Sequence, residues 1–283
     1  MSEAEPVRVH AIVGGYPPGS PAGHDMDYAR LRILQLLQEN PRLRSTVAND
    51  FTDIAKWLPD SQLLITYVAG PYPDEVQDQV IRQWLEAGGR WLALHGTSGG
   101  KAVRVGENRS ARKMVKTSHH DTLGSFFLNH PPLRKFRVTV TDREHVLTRD
   151  LPASFEVIDE LYLIELQAPS ACHVLLTTEL DQDPSPPGFG FVYDADTTLL
   201  PDGKTRVLGY TRELGKGGVA YIALGHCHAP STNRQRVVDP SATASVVPSE
   251  PFRGAWETEP FVTLLRNGIK WGSTRLPIPY LAQ

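Results

Sequence analysis

The residues best suited to chemistry stand where apolar runs stop. "VRVHAIV" (7–13) breaks into "GGYPPGSPAGHD", which carries His24 and Asp25. "RWLALH" (90–95) ends at His95 in the turn "HGTSGGK", and "VAYIALG" ends at His226-Cys227-His228. Imidazoles at strand ends can ligate a divalent metal, hydrogen-bond sugar hydroxyls or move protons, and zinc, nickel and manganese all accept mixed His and carboxylate sets. His226 and His228, two apart on extended chain, project to one side. Structural roles compete with these: His95 as a hydrogen-bond partner of a neighbouring loop, and "GHD" as a helix cap. None of the spacings reproduces a metal signature such as H-E-x-x-H.

"VIDELYLIEL" (157–166) places Asp159 and Glu160 inside an apolar, strand-like run, where an uncompensated carboxylate is costly. Glu160 and Tyr162 then share a strand face, as a positioned acid/base with a phenol partner, unless that face is simply solvated. "SHHD" (118–121) and "NHP" (129–131) add His119, His120 and His130. Cys227 between two histidines invites a thiolate reading. Ser98 lies outside a G-x-S-x-G setting, and the glycines before Lys101 lack phosphate-loop spacing. Tyr72, Phe189 and Trp256, on loops, offer aromatic platforms for a sugar ring.

Strands and helices must bring these positions together. "DYARLRILQLLQEN" (27–40) sets Tyr28, Leu31, Leu34 and Leu37 on one helical face, capped by Asp25 or Asp27. Strands follow at 43–49 and 62–69, a helix at 73–89 and a strand at 90–95. This alternation predicts an α/β fold, a doubly wound, mostly parallel sheet of flavodoxin-like type with its ligand crevice beyond the carboxyl ends of the strands. Strands at 136–142, 173–180, 205–214 and 217–226 predict an antiparallel extension. The Pro-, Asp-, Ser- and Gly-rich stretches 181–204 and 229–259 read as long loops, and 259–272 as a closing helix. We expect one domain over 1–283.

A net charge of −3 gives no reason to invoke nucleic acid or an anionic membrane surface. Two cysteines make no disulfide framework, and neither a signal peptide nor a bilayer-spanning run is evident, so a cytoplasmic protein is expected.

Several segments together carry a family resemblance. They are the opening strand with "VGG" and the later "HD", "WLEAGGRWLALHG", "LGSFFLNHP", "FRVTVTDREHVLTRDLPASFEVIDELY", "LGKGGVAYIALGH" and "FVTLLRNGIKWG". In these the chain resembles the ThuA-like (trehalose-utilization) family, whose fold is similar to class I glutamine amidotransferases. The resemblance puts His95 on the turn where amidotransferases carry their nucleophilic cysteine, so thiol-dependent glutamine hydrolysis is not expected. It also matches His24, His95, His130, Glu160 and His226 to recurrent family positions. Val146 departs from the pattern by standing where a proline is usual, and both long loops exceed the family minimum.

The resemblance implies an enzyme acting on a disaccharide or 3-keto-sugar derivative, by glycoside elimination or hydrolysis or by isomerisation. In that reading Glu160, His95 and Tyr162 are catalytic. His24, Tyr72, Gly96, Thr97 and His130 bind substrate, and His24, His95, His226 and His228 hold a divalent metal. The alternative is a non-catalytic sugar-binding or assembly protein on the same scaffold. A homo-oligomer is compatible with either.

Overall fold

The computed structural model describes residues 6–15, 23–232 and 237–274. Much of the first loop (16–22), positions 233–236 of the late loop and the Pro-rich C-terminal segment lie outside the described residues. Five strands form one half of a nine-stranded sheet: β1 (Val7–Gly14), the mostly exposed edge strand β2 (Leu43–Ala48), β3 (Leu63–Val68), β4 (Arg90–Leu94) and, much later in the chain, a strand at Gly217–Ile222. They pair in parallel in the order β2-β1-β3-β4 and then Gly217–Ile222. β3 and the late strand are buried at every position, as both-face coverage of a parallel sheet requires.

Helices α1 (Met26–Gln38), α2 (Ile54–Trp57) and α3 (Glu75–Glu86) make the crossovers. Asp25 caps α1 by accepting from the Tyr28 N–H, and Asp74 and Gln77 close a reciprocal capping box on α3. The buried stripe of α1 is Ala29, Ile33, Leu36 and Leu37 rather than the expected Leu31 row; Leu31 is 54% exposed.

After β4 the chain makes a 3₁₀ turn at His95–Ser98 and a two-stranded ribbon, β5 (Lys101–Val105) with β6 (Ala111–Val115). Then come α4 (His119–Leu123), β7 (Ser125–Asn129), β8 (Arg134–Val140), β9 (Ser154–Asp159), β10 (Leu163–Leu166), β11 (Cys172–Glu179), β12 (Thr205–Leu214), β13 (Gly217–Ile222) and α5 (Glu259–Ser273). Strands β13, β12, β11, β8 and β9 pair antiparallel in that order and complete the large sheet. The architecture is thus an α/β fold with a large sheet that combines parallel and antiparallel strands. α5 lies close on it because Gly268 faces Leu92; a Cβ there would come within 2.8 Å of that side chain. Among the described residues no helix is long and apolar enough to cross a membrane.

Two consequences matter for the site. Four successive reversals from β13 to β9 leave β9 running in the same sense as β13, so both end at the same sheet edge. The run 157–166 is not the single strand expected: β9 stops at Asp159, residues 160–162 turn, and β10 joins β7 in a separate sheet. The chain breaks at the two carboxylates because both are consumed at the strand end.

Candidate functional site

His95 directly follows β4, and its backbone lies in the left-handed region at φ 41°, a strained placement for a non-glycine residue. Gly96 lets this turn rest on β3, because a Cβ there would run into the Val68 carbonyl. His95 Nδ1 donates to the Ala223 carbonyl at 2.7 Å. With Nδ1 tied to that carbonyl, Nε2 faces inward. His119 and His120, both buried, brace the turn from behind through Nε2 contacts to the Thr97 carbonyl (3.3 Å) and the Gly99 carbonyl (3.0 Å).

Asp159 ties the β9 end to the segment after β13. Its Oδ2 accepts from the Gly225 N–H (2.9 Å), and its Oδ1 from the N–H groups of His226 (2.9 Å) and Glu160 (2.8 Å). In a flat sheet four spacings of about 4.8 Å would separate β9 from β13 by roughly 19 Å. Residues 223–228 therefore cross the strand ends to reach Asp159, and Glu160 is delivered onto the histidines. Glu160 Oε2 lies 3.0 Å from His226 Nδ1 and 3.6 Å from His95 Nε2, and Oε1 lies 3.7 Å from His130 Nε2. His24 comes from the first loop, held by the Asp25 N–H bond to the Cys227 carbonyl (2.8 Å) and by the Arg253–Asp25 ion pair (2.7 Å). Its ring stands edge-on to His95 and His226, with centroids 5.1 and 5.0 Å away.

His24, His95, Glu160 and His226 each offer a ligand atom, all within 4.8 Å of one another. Donors around a tetrahedral ion at about 2.0–2.1 Å lie about 3.3–3.4 Å from one another, so the widest pair of the set has to draw in by up to about 1.4 Å to hold a divalent cation. His95 Nε2 and His226 Nδ1 are buried without a hydrogen-bond partner among the described residues. A proton on either ring lets it donate to the Glu160 carboxylate, and a divalent cation held by these atoms would take the place of that proton. Burial alone would push the Glu160 carboxyl up; the His130 and His226 charges and the contacts from His226 and His95 outweigh it and hold the group well below the usual carboxylate range. Burial, reinforced by Glu160, pushes the Tyr162 phenol well above its ordinary value.

This cluster floors a cleft of about 1050 Å³. Glu160, Tyr162, His24 and His130 line it, with Tyr72 and Phe127 on the walls and Phe189 and Phe191 above. His95 and His226 lie behind that surface. Tyr162 stacks between His95 (3.9 Å) and Phe127 (4.3 Å).

The sequence profile of the ThuA family, described as trehalose utilisation, matches residues 21–239. The chain belongs to the ThuA family. Among solved structures it is similar to a ThuA-like protein from Bacteroides uniformis, at 16% identity and TM-score 0.61, covering 96% of this chain and 93% of that one. A ThuA-like protein from Parabacteroides merdae gives 16% identity and TM-score 0.59, over 98% and 94% of the two chains. A cold-adapted β-galactosidase from Rahnella sp. R3 aligns at 15% identity and TM-score 0.51, over 78% of this chain but 29% of its own. No curated protein sequence matches.

Several residues of the ThuA chain sit elsewhere than the sequence suggests. His228 is outside the four-donor set; its Nδ1 lies 2.9 Å from His226 Nε2, one of the two nitrogens carrying the shared proton. Thr97 does not reach the cleft: its hydroxyl binds Thr66 Oγ1 and the Thr66 carbonyl, both at 3.0 Å. Gly96 and Tyr72 do line the cleft, the Tyr72 hydroxyl donating to the Gly96 carbonyl at 3.1 Å. Trp256 is a packing residue, buried against Phe261 with its indole N–H on the Gly225 carbonyl. Burial pushes the Cys227 thiol up to about 12, the reverse of an activated nucleophile.

Sequence reasoning passed over Asp159 as a clamp. The available signal was a second acid inside an apolar run, beside the one assigned to chemistry. It also passed over Asn129, whose side chain accepts from the Phe191 N–H (2.9 Å) and donates to Asp183 (2.8 Å), latching the loop above the cleft.

Proposed function

We propose that this ThuA protein is a metal-assisted carbohydrate enzyme that eliminates the leaving group from a 3-keto-sugar glycoside. One observation carries this reading: a single carboxylate, kept ionised by surrounding imidazoles, stands at the cleft floor beside a buried phenol. Ordinary glycoside hydrolysis uses two carboxyl groups about 5–9.5 Å apart. The other candidates here are engaged, Asp159 by three backbone donors and Asp74 by the cap of α3. A reaction needing one base fits better.

In a 3-keto sugar the proton next to the ketone, on C2, is acidic. Glu160 removes it through Oε1, the oxygen on the His130 side. The C2–H electron pair becomes the C1–C2 double bond as the C1–O bond to the leaving group breaks, and the departing oxygen takes a proton, from His130 in this reading. The Tyr162 hydroxyl, kept protonated by its surroundings, donates to the ketone oxygen as negative charge gathers there. A divalent zinc, nickel or manganese ion on His24, His95 and His226, beside Glu160 Oε2, would supply Lewis-acid stabilisation of that charge. The reversal of strand order between β1→β2 and β3→β4 supports the doubly wound reading, with the cleft at the switch point. Two free cysteines support a cytoplasmic setting.

The test pairs metal analysis with turnover. Protein purified without chelator is assayed by plasma mass spectrometry and offered a 3-keto disaccharide. Near-stoichiometric metal that is lost in His226→Ala, with sugar release that is lost in Glu160→Gln, is the expected result. Sugar binding without release by the wild-type protein would replace the enzyme with a binding protein.

A further inference from the structure

The β5–β6 ribbon borders the cleft with Lys101, Ala102, Arg112 and Met114. Its register sets Arg104 directly opposite Arg112, on one side of the ribbon. Like charges facing one another across a strand pair repel, and a ribbon gains nothing by holding them there unless an anion joins them. The neighbouring cations are neutralised: Lys113 pairs with Asp194 at 2.6 Å and Lys116 with Glu165 at 2.5 Å. Among the described residues, Lys101, Arg104 and Arg112 have no such carboxylate partner within 4.0 Å.

Arg112 is also held in place. Its guanidinium lies 4.6 Å from the centroid of the Phe191 ring, and its carbonyl accepts from the Val192 N–H at 2.8 Å. Phe191 is fixed in turn by its backbone bond to Asn129. The guanidinium therefore stands at the cleft wall over an aromatic ring with no carboxylate partner among the described residues, and its N–H fork is of the kind that receives phosphate or carboxylate oxygens. The two carboxylates lining the cleft do not neutralise it: Asp74 caps α3, and Glu160 faces the histidines.

We infer that the substrate carries an anionic group, a phosphate or a carboxylate on the sugar, and that Arg112 receives this group at the cleft wall while the uncharged sugar ring lies over Glu160. This rests on the carbohydrate reading above and narrows its substrate class to sugar phosphates and sugar acids.

The experiment measures the affinity of the wild-type protein for glucose, glucuronate and glucose 6-phosphate by calorimetry at two salt concentrations. At least tenfold tighter binding of one charged sugar is expected, weakening as salt rises; whichever is tighter identifies the anion. R112Q should bring the charged-to-neutral ratio close to one, R112K should keep part of it, and K113Q, whose partner is Asp194, should leave it as it was. Thermal melts establish that each variant is folded. Equal affinity for all three sugars, or a preference that survives in R112Q, overturns the inference and leaves the carbohydrate reading standing. Binding of none of the three while a 3-keto disaccharide still binds overturns the inference alone, and binding of neither overturns the carbohydrate reading with it.

Discussion

The parallel and antiparallel halves of the large sheet contribute different things to the site. β1, β4 and β13 deliver His24, His95 and His226 from loops just beyond their carboxyl ends, where a parallel sheet places ligands by construction. The antiparallel half delivers Glu160, from a strand four places away whose end is stitched to the β13 loop by Asp159. The first half thus supplies a preorganised ring of nitrogens, and the second the ionised group that gives it chemistry. Neither half holds a complete site.

That division can be broken most severely at Glu160. Glu160→Gln keeps the shape and removes the base, so turnover of a 3-keto disaccharide should fall by about 10²–10⁴-fold while the fold remains. Rates above a tenth of wild type would mean that the antiparallel half does not supply the base.

Asp159→Ala attacks the seam instead. It strands the buried N–H groups of Gly225, His226 and Glu160, and at about 1–3 kcal/mol for each unsatisfied donor the loss should exceed roughly 3 kcal/mol. Urea unfolding gives that figure, and metal titration of the folded fraction should show weakened affinity. Unchanged stability would show the two halves to be held together elsewhere.

Acid should act on the parallel half. Burial holds His10, inside β1, down to about 4 from an ordinary 6.5, so the unfolded chain binds the extra proton first. Stability is then full above pH 6.5 and declines as pH falls toward 4, by about 3 kcal/mol for this residue. His10→Gln should flatten that decline in thermal melts across the window. The smallest effect is expected at Asn129→Ala, which unlatches the loop carrying Phe189 and Phe191; we expect a several-fold rise in KM with kcat within a factor of about two.

The same division governs what the sequence disclosed. Except for the edge strand β2, the parallel strands are mainly apolar runs, and their ends can be placed with the loops that follow. The 101–115 ribbon escaped notice because "KAVRVGENRSARKMV" is charged on both faces and has no apolar period. Glu160 was recognised as out of place in an apolar run, but the break at Asp159 was not: the bonds that end the strand come from Gly225 and His226, more than sixty residues later. His228 and Thr97 meet His226 and Thr66 instead, which alternation could not show, because it gives the side a residue faces and not the partner it meets there.

Cys227 offers a way to watch the two parts of the site separate. Its backbone carbonyl is bonded to the Asp25 N–H, its thiol touches the Asp25 carbonyl at 3.5 Å, and it is the point where the segment carrying His226 meets the one carrying His24. A thiol sealed in this way reacts only during a local opening, so its labelling rate in excess reagent counts those openings. Mass spectrometry of the labelled protein would then serve as a stopwatch for the site, slowed by any ligand that clamps those segments together and blind to motions elsewhere in the chain.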